Sequence, residues 1–207
     1  MAAARPGQFW DEARRYEFLG VHPLFRGLSP DAARQVAAAF APRTILRGDA
    51  VFLEGQEAGA FHVLAEGRVK LVRETDEGRE VILRLIQVGE AFGGAGIWGE
   101  AEYPASAFAQ EDSVDLQLST RDFTRLLHAH PEIALAIIRL LAGRLRDAEA
   151  RIRDLQTAQV EQRVANVLLR LANKTGVKTA EGVRIGVPLT RQDLAELSGT
   201  TLSTASR

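Results

Sequence analysis

The sequence predicts an α+β fold made of an antiparallel β-sandwich or jelly roll, a long helix and a C-terminal helix-turn-helix. Three observations predict it. Short apolar runs in the first half are separated by glycines, a repeat of 3.5 residues follows, and a helix–glycine turn–helix pattern ends the chain. These patterns divide the chain into three domains, residues 1–130, 131–157 and 158–207.

The composition is that of an ordinary soluble globular chain. Of 207 residues, 46% are hydrophobic and 26% are charged, and the net charge is −1. There is no cysteine, which excludes disulfides, thiolate metal sites, cysteine nucleophiles and a cysteine-ligated iron–sulfur cluster. There is also no apolar run of about 18 residues and no apolar signal core. We therefore expect a cytoplasmic protein without a membrane partner.

Residues 20–120 are predicted to be mostly β-structure. Before the strands, Ser29 and Pro30 form a helix start signal with Asp31 in the first turn. The segment "KLVRETDEGREVILRL" is the clearest hairpin, with residues 76–78 at its tip. Glycines recur at the turn spacing of about 8–12 residues that a sandwich or jelly roll shows. They are Gly48, Gly55, Gly59, Gly67, Gly78 and Gly89.

A long helix is predicted from the heptad spacing of residues 131–159. Its apolar positions form a narrow seam that is typical of a parallel dimer, in which Arg144 faces Glu149 of the partner subunit. The alternative is that the stripe packs on the chain's own β domain. The seam residues are Ile138, Leu141, Leu145, Ala148, Ile152 and Leu155.

The C-terminal segment begins with an amphipathic helix, "VEQRVANVLLRLANKTG", which is expected to stop at Gly176. A short strand-like stretch, "VRIGVPL", follows. In "LTRQDLAELSGTTLSTASR", Thr190 and Asp193 form a capping-box pattern and Gly199 suits a left-handed helix end. Thr200 or Thr201 then caps a second helix, which completes a helix-turn-helix pattern.

A helix-turn-helix places the N-terminal residues of its second helix against the bases of the major groove. Ser203 and Arg207 share one face of that helix, and an arginine can bind guanine in a bidentate fork. From residue 158 onward, seven Lys/Arg stand against four Asp/Glu, which favours a polyanion partner. The alternative is a helical hairpin that does not meet DNA. The candidate DNA-binding residues are Thr190, Arg191, Thr200, Thr201, Leu202, Ser203, Ser206 and Arg207.

Four stretches together resemble the CRP/FNR family of bacterial transcription regulators: "GRVKLVR", "VGEAFG", "HPEIALAIIRLLAGRLR" and "PLTRQDLAELSGTT". The resemblance covers nearly the whole chain. It implies a β roll like a cyclic-nucleotide-binding domain, a long dimerisation helix and a C-terminal winged helix-turn-helix. It also implies a homodimer that binds palindromic promoter DNA, recruits RNA polymerase and activates transcription. In many members a small effector lies between the β roll and the long helix.

Members of this family continue past the serine–arginine pair with the rest of the recognition helix and a wing. The resemblance therefore implies that the helix-turn-helix is truncated at Arg207. We expect the 207-residue chain to bind DNA less well than a longer version.

The resemblance also locates an effector pocket and indicates that it does not suit cAMP. Where cAMP-binding members carry a glutamate and an arginine–serine pair, this chain carries Gly94 and Ala105-Ser106. Loss of the arginine removes the charge-assisted fork on the phosphate. Arg84 is the one charge in an apolar strand, and it either meets an anionic effector or faces outward. An alternative is regulation by abundance alone. The pocket candidates are Arg84, Gly93, Gly94, Ala105, Ser106, Ala148 and Glu149.

Other cofactors and an enzymatic role have little support. Haem needs an axial ligand, and His62, the one histidine in a strand pattern, is expected to be a half-buried strand residue. His128 and His130 do not share a helix face, and His130-Pro131 indicates a helix boundary rather than a metal site. A cupin-type enzyme would need three converging His/Glu ligands. The remaining alternative is a cyclic-nucleotide-binding-like module that senses a small ligand without binding DNA.

Overall fold

The computed structural model of the chain describes residues 10–75, 80–99, 101–186 and 189–205. The fold has two compact units. The first comprises Met1–Arg73 with Leu83–Leu141, and the second comprises Glu74–Ile82 with Ala142–Arg207.

Two helices open the first unit, α1 (Glu12–Gly20) and α2 (Pro30–Ala39). The start of α2 is the predicted one, since the Ser29 hydroxyl accepts a hydrogen bond from the Ala32 amide at 3.3 Å. The segment before α1 is tied to the β-structure, because Trp10 Nε1 donates to the Glu66 carboxylate at 2.8 Å.

Eight strands form two four-stranded sheets, which confirms the predicted β roll. The first sheet has the order β1-β8-β3-β6 and the second has the order β2-β7-β4-β5. The β-structure begins at Ala41 rather than near residue 20, because α2 occupies the preceding segment. The tip predicted at residues 76–78 lies outside the described residues. The strands are β1 (Ala41–Ile45), β2 (Ala50–Phe52), β3 (Ala60–Glu66), β4 (Val69–Glu74), β5 (Glu80–Ile86), β6 (Ala91–Phe92), β7 (Ser106–Ala109) and β8 (Ser113–Ser119).

Strand β3 contributes to two hydrophobic clusters. On one face, Phe61 and Val63 pack with residues of the helices, and the Phe61 ring stacks on Phe123 at 4.4 Å. On the other face, Leu64 packs into a cluster that combines residues of both sheets. Burial of each such large side chain stabilises the fold by about 1.5–3 kcal/mol.

The helix α3 (Thr120–Ala129) was not predicted from the sequence. It begins at Ser119, whose hydroxyl accepts from the Asp122 amide at 3.0 Å. His130 then separates α3 from the predicted long helix α4 (Pro131–Thr157), so the boundary at His130-Pro131 is confirmed. Ile133 and Ile137 of α4 are buried in the cluster that contains Phe61.

The second unit contains the helix α5 (Val160–Thr175), a two-stranded sheet and two short helices. The expected stop at Gly176 is present. The strand-like stretch "VRIGVPL" is a strand over its first three residues, and residues 187–188 of it lie outside the described residues. Its partner strand β9 was not predicted. The remaining elements are β9 (Gly176–Thr179), β10 (Gly182–Ile185), α6 (Arg191–Ser198) and α7 (Leu202–Ala205).

No described helix is by itself long and apolar enough to cross a membrane. The segments Thr120–Ala129 and Pro131–Asp154 meet the length and composition criteria only as a pair, and that pair is bent by 113°.

His22, between α1 and α2, is a buried titratable group in the first unit. Burial lowers the pKa of His22 to about 4, partly opposed by a hydrogen bond to the Gly89 backbone. Its Nδ1 accepts from the Leu24 amide at 3.2 Å, which requires an unprotonated nitrogen. The folded protein therefore holds His22 in its neutral form at neutral pH.

We predict that acid destabilises the first unit through His22. The folded-state pKa lies below the unfolded value of about 6.5, so the stability is fully present above pH 6.5 and is lost as the pH falls towards 4. The loss at pH 4 is up to about 3 kcal/mol. Urea unfolding of His22→Gln between pH 7 and pH 4 should show a flatter pH dependence than the unaltered protein. His128→Gln, at an exposed position, is the control; equal pH profiles for all three proteins would contradict the prediction.

Candidate nucleic-acid interface and effector loop

The helix α6 has the predicted capping box. The Thr190 hydroxyl accepts from the Asp193 amide at 3.0 Å, and the Asp193 carboxylate accepts from the Thr190 amide at 2.9 Å. Two amides that a helix N-terminus leaves unpaired are thus satisfied locally. The start of the motif is fixed by residues only three positions apart.

The turn after α6 also follows the sequence pattern. Gly199 adopts the left-handed conformation, with φ 63° and ψ 45°, where a side chain would be strained. The Thr200 amide donates back to the Ala195 carbonyl at 2.9 Å. Thr201 rather than Thr200 caps α7, because its Oγ1 lies within hydrogen-bonding distance of the Thr204 amide and of two neighbouring hydroxyls.

Arg163 of α5, which is outside the motif, forms hydrogen bonds with this turn. Its guanidinium donates to the carbonyls of Ser198 (3.0 Å) and Gly199 (3.2 Å), and to that of Ala158 (3.3 Å). Arg170, also on α5, forms an ion pair with Asp154 of α4. Both arginines therefore bind groups within the second unit, although they were counted in the excess of basic residues from residue 158 onward.

Most of the described candidate DNA-binding residues are exposed. Thr190, Arg191, Thr201 and Ser203 are exposed, and Thr200 is partly buried. Leu202 is about half exposed at the start of α7. Ser206 and Arg207 lie outside the described residues. The described part of the motif thus presents Thr190 and Arg191 at the start of α6, and Thr201, Leu202 and Ser203 at the start of α7.

The heptad stripe of α4 is exposed. Ile138 and Leu145 are each 61% exposed, Ile152 is 55% exposed, and Leu141 is also exposed. Ala148 is exposed as well, and the side chain of Leu155 is outside the described part of the chain. By contrast, Ile133 and Ile137, near the start of α4, are buried in the hydrophobic cluster that contains Phe61.

The effector loop, defined here as residues 93–98, follows strand β6 and contains a short 3₁₀ helix at Ala95–Trp98. Gly93 begins it with φ 68°. A Cβ at Gly93 would lie 2.4 Å from His62 Cδ2 and 3.0 Å from Phe52. The His62 ring therefore packs directly against the loop backbone, and only glycine fits there.

His62 is buried, not half-buried as its strand pattern predicts: it is 2% exposed. Its Nδ1 lies 2.7 Å from Asp115 Oδ2 and its Nε2 lies 3.3 Å from the Tyr103 hydroxyl. Burial raises the pKa of Tyr103, so the phenol stays protonated and donates to the Ala60 carbonyl at 3.1 Å. Both faces of β3 are covered, so the usual alternation of buried and exposed side chains does not apply.

The other effector-pocket candidates of the first unit are small or already bonded. Gly94 precedes the 3₁₀ helix and offers no carboxylate. Ala105 is buried, and the Ser106 hydroxyl accepts from the Glu54 amide at 2.9 Å. The structure therefore places no cation at the position where the family pattern has arginine.

Arg84 is 23% exposed rather than facing fully outward, and its Nη2 lies 3.8 Å from Glu90 Oε2. An anionic ligand at Arg84 would compete with this carboxylate. Ala148 and Glu149, the candidates on α4, belong to the second unit and are exposed. Among the described residues, no group of three His, Cys, Asp or Glu side chains is arranged to hold a metal ion.

Sequence reasoning missed two contributors, Arg163 and the His62–Asp115 pair. Arg163 is 35 residues from Ser198, and His62 is 53 residues from Asp115. Neither contact has a local signal. The one available clue was Asp115 itself, a carboxylate between two apolar residues of the strand "SVDLQLS".

Comparison with known proteins agrees with this architecture. The family described as "Cyclic nucleotide-binding domain" matches residues 42–130, and "Crp-like helix-turn-helix domain" matches residues 162–207. The cyclic AMP receptor protein of Thermus thermophilus is 34% identical over 185 residues, which cover 89% of this chain and 82% of that protein.

Solved structures show the same fold. The catabolite activator protein of Thermus thermophilus shares 32% identity with a TM-score of 0.60, over 89% of this chain and 83% of that chain. The c-di-GMP-responsive global regulator CLP of Xanthomonas campestris has a TM-score of 0.71 at 22% identity, over 86% of this chain and 88% of its own. The second likeness supports the fold alone.

A cyclic-nucleotide-binding-type β domain followed by a helix-turn-helix defines a DNA-binding transcription regulator. The chain belongs to the CRP/FNR family of these regulators, whose members bind promoter DNA through this motif. The resemblance and the fold class inferred from the sequence are therefore confirmed.

Proposed function

We propose that this protein is a homodimeric transcription activator that binds palindromic promoter DNA, recruits RNA polymerase and does not depend on cAMP. It acts in the cytoplasm and catalyses no reaction. The observation that carries the proposal is the exposed apolar stripe of α4, immediately ahead of the helix-turn-helix unit. Two copies joined along this stripe would present two recognition helices to two half-sites.

The energetics support a dimer. Ile138, Leu145 and Ile152 are more than half exposed in the monomer. Full burial of such a side chain is worth about 1.5–3 kcal/mol, so covering the exposed part of each contributes roughly half of that. Their heptad spacing suits knobs-into-holes packing. Single apolar residues on a surface are common, but a stripe three heptads long is an interaction surface.

We predict that Leu145→Glu disrupts the dimer. A carboxylate in the centre of an apolar seam would be buried without a partner, and dimerisation should weaken at least tenfold. Sedimentation equilibrium at micromolar concentration measures the effect. Arg146→Glu is the matched control, since Arg146 is the exposed neighbour off the seam. Equal association of the two variants would argue against this interface.

Independence from cAMP is supported by the chemistry of two effector-pocket candidates, one in the effector loop and one just before β7. Gly94 and Ala105 stand where a carboxylate for the ribose and a guanidinium for the cyclic phosphate are expected. A buried phosphate needs charge-assisted hydrogen bonds, and these residues supply none.

Haem sensing has no support in the arrangement of His62. Both of its ring nitrogens lie within hydrogen-bonding distance of side chains, Asp115 and Tyr103. An axial ligand needs one nitrogen free for the iron. The residues at the effector-pocket candidate positions fit regulation by abundance, or by a non-nucleotide effector, better than they fit sensing of haem or cAMP.

We predict no saturable cAMP binding in calorimetry at micromolar nucleotide. The cyclic AMP receptor protein of Thermus thermophilus, titrated in parallel, serves as the positive control. Saturable binding with a stoichiometry near one per chain would overturn this part of the proposal while leaving the DNA-binding role intact.

We predict that the purified protein enriches a palindromic site from a randomised DNA pool, with affinity that falls steeply as salt rises. The selection is run with and without a metabolite extract. Enrichment that needs the extract indicates an effector, and enrichment without it indicates control by abundance. No enrichment in either condition would favour the alternative, a ligand-sensing module whose terminal helices serve another partner.

A further inference from the structure

We propose that Arg163 is a positioning residue for DNA recognition, because its one guanidinium joins the linker before α5 to the turn between α6 and α7. The N-terminus of α7 is thereby held in a fixed relation to the linker that follows the long helix. The inference rests on the assignment of α6 and α7 as the DNA-contacting motif.

The contacts with the turn place the Arg163 guanidinium at the C-terminal end of α6. Nε donates to the Ser198 carbonyl at 3.0 Å and Nη2 donates to the Gly199 carbonyl at 3.2 Å. These carbonyls belong to the C-terminal end of α6, where a helix leaves acceptors unpaired and carries partial negative charge. The last turn of α6 contains no basic residue. Arg163 of α5 supplies the missing charge from another helix.

The contact on the linker completes the connection. Nη1 of the same guanidinium donates to the Ala158 carbonyl at 3.3 Å. Ala158 lies between the last residue of α4 and the first of α5. The Ala158 amide in turn donates to the Asp154 carbonyl at 2.9 Å. Rotation of the backbone at Ala158 would therefore break the hydrogen bond from Arg163 Nη1. The same guanidinium also binds the carbonyls of Ser198 and Gly199.

A second arginine reinforces the α4 side. Arg170, two turns along α5, pairs with the Asp154 carboxylate. The helix α5 thus binds the end of α4 through Arg170 and the linker through Arg163. Of these two arginines, Arg163 is the one that also binds the turn, so it connects the position of α7 to the linker.

Lysine cannot reproduce this arrangement, although it preserves the charge. The three acceptors are met by three different nitrogens of a planar fork, whereas an ammonium is a single point donor on a flexible stem. Arg163→Lys should therefore loosen the turn without changing the net charge. A phosphate-contacting arginine would behave differently, because its effect on binding depends on charge and salt.

The test compares Arg163→Lys and Arg163→Gln with Arg191→Gln, using the enriched DNA site across a salt series. We expect both Arg163 variants to lose about tenfold in affinity at every salt concentration, with an unchanged slope of log K against log salt. Removal of a phosphate contact lowers that slope by about 0.9, and Arg191→Gln, at an exposed candidate contact, should show this. Unchanged affinity, or a slope reduced by about 0.9 in Arg163→Gln, would overturn the proposal.

A second measurement needs no DNA and separates this inference from the proposed function. Hydrogen exchange at the amides of Gly199 and Thr200, which bond to the carbonyls of Glu196 and Ala195, should accelerate several-fold in Arg163→Lys. The Gly186 amide, bonded to Thr175 at 3.1 Å, should keep its rate. Equal acceleration at all three amides would mean general destabilisation and would refute a positioning role. A protein that binds no DNA would refute the proposed function and leave this exchange result valid.

Discussion

Strand β3 is buried on both faces, and the organisation of the first unit depends on this constraint. Phe61 and Val63 pack against the helices, together with Ile133 of the long helix. Leu64 packs between the sheets, and His62 supports the effector loop. Because successive side chains of a strand point to opposite faces, the loop and the first turns of α4 rest on adjacent residues of one strand. A displacement of β3 therefore affects both at once.

The elements that were predicted correctly are those with local causes. The caps of α2 and α6 need residues three positions apart, and the seam of α4 needs a sustained heptad. The missed elements lacked such signals. The strand β9 is exposed along its whole length and exists through its pairing with β10. The Ser119 cap of helix α3 is also the last residue of strand β8, so no turn separates the two elements.

The candidate site was predictable only in outline, because its decisive contacts join distant residues. The sequence places Thr190, Arg191 and Thr201 at exposed positions of a motif. It does not show that Arg163 is bound to carbonyls instead of facing solvent. Strand alternation likewise predicts a half-buried His62, whereas helices cover one face of β3 and the residues of the two sheets cover the other. Burial of this kind is a property of the tertiary arrangement, and no short window of sequence contains it.

Family membership and ligand chemistry depend on different parts of the chain. The backbone of the effector loop is kept by Gly93, whose positive φ and contact with His62 leave no room for a side chain. Ligand specificity would instead depend on the residues at the candidate positions 84, 94, 105 and 106. There the chain has an arginine beside Glu90, a glycine, a buried alanine and a serine already bonded to the Glu54 amide. An anionic effector at Arg84 would compete with the Glu90 carboxylate. The loop backbone and its contact with His62 of β3 depend on Gly93, so the side chains at these four positions can differ between relatives while the loop and its connection to the long helix through β3 are preserved.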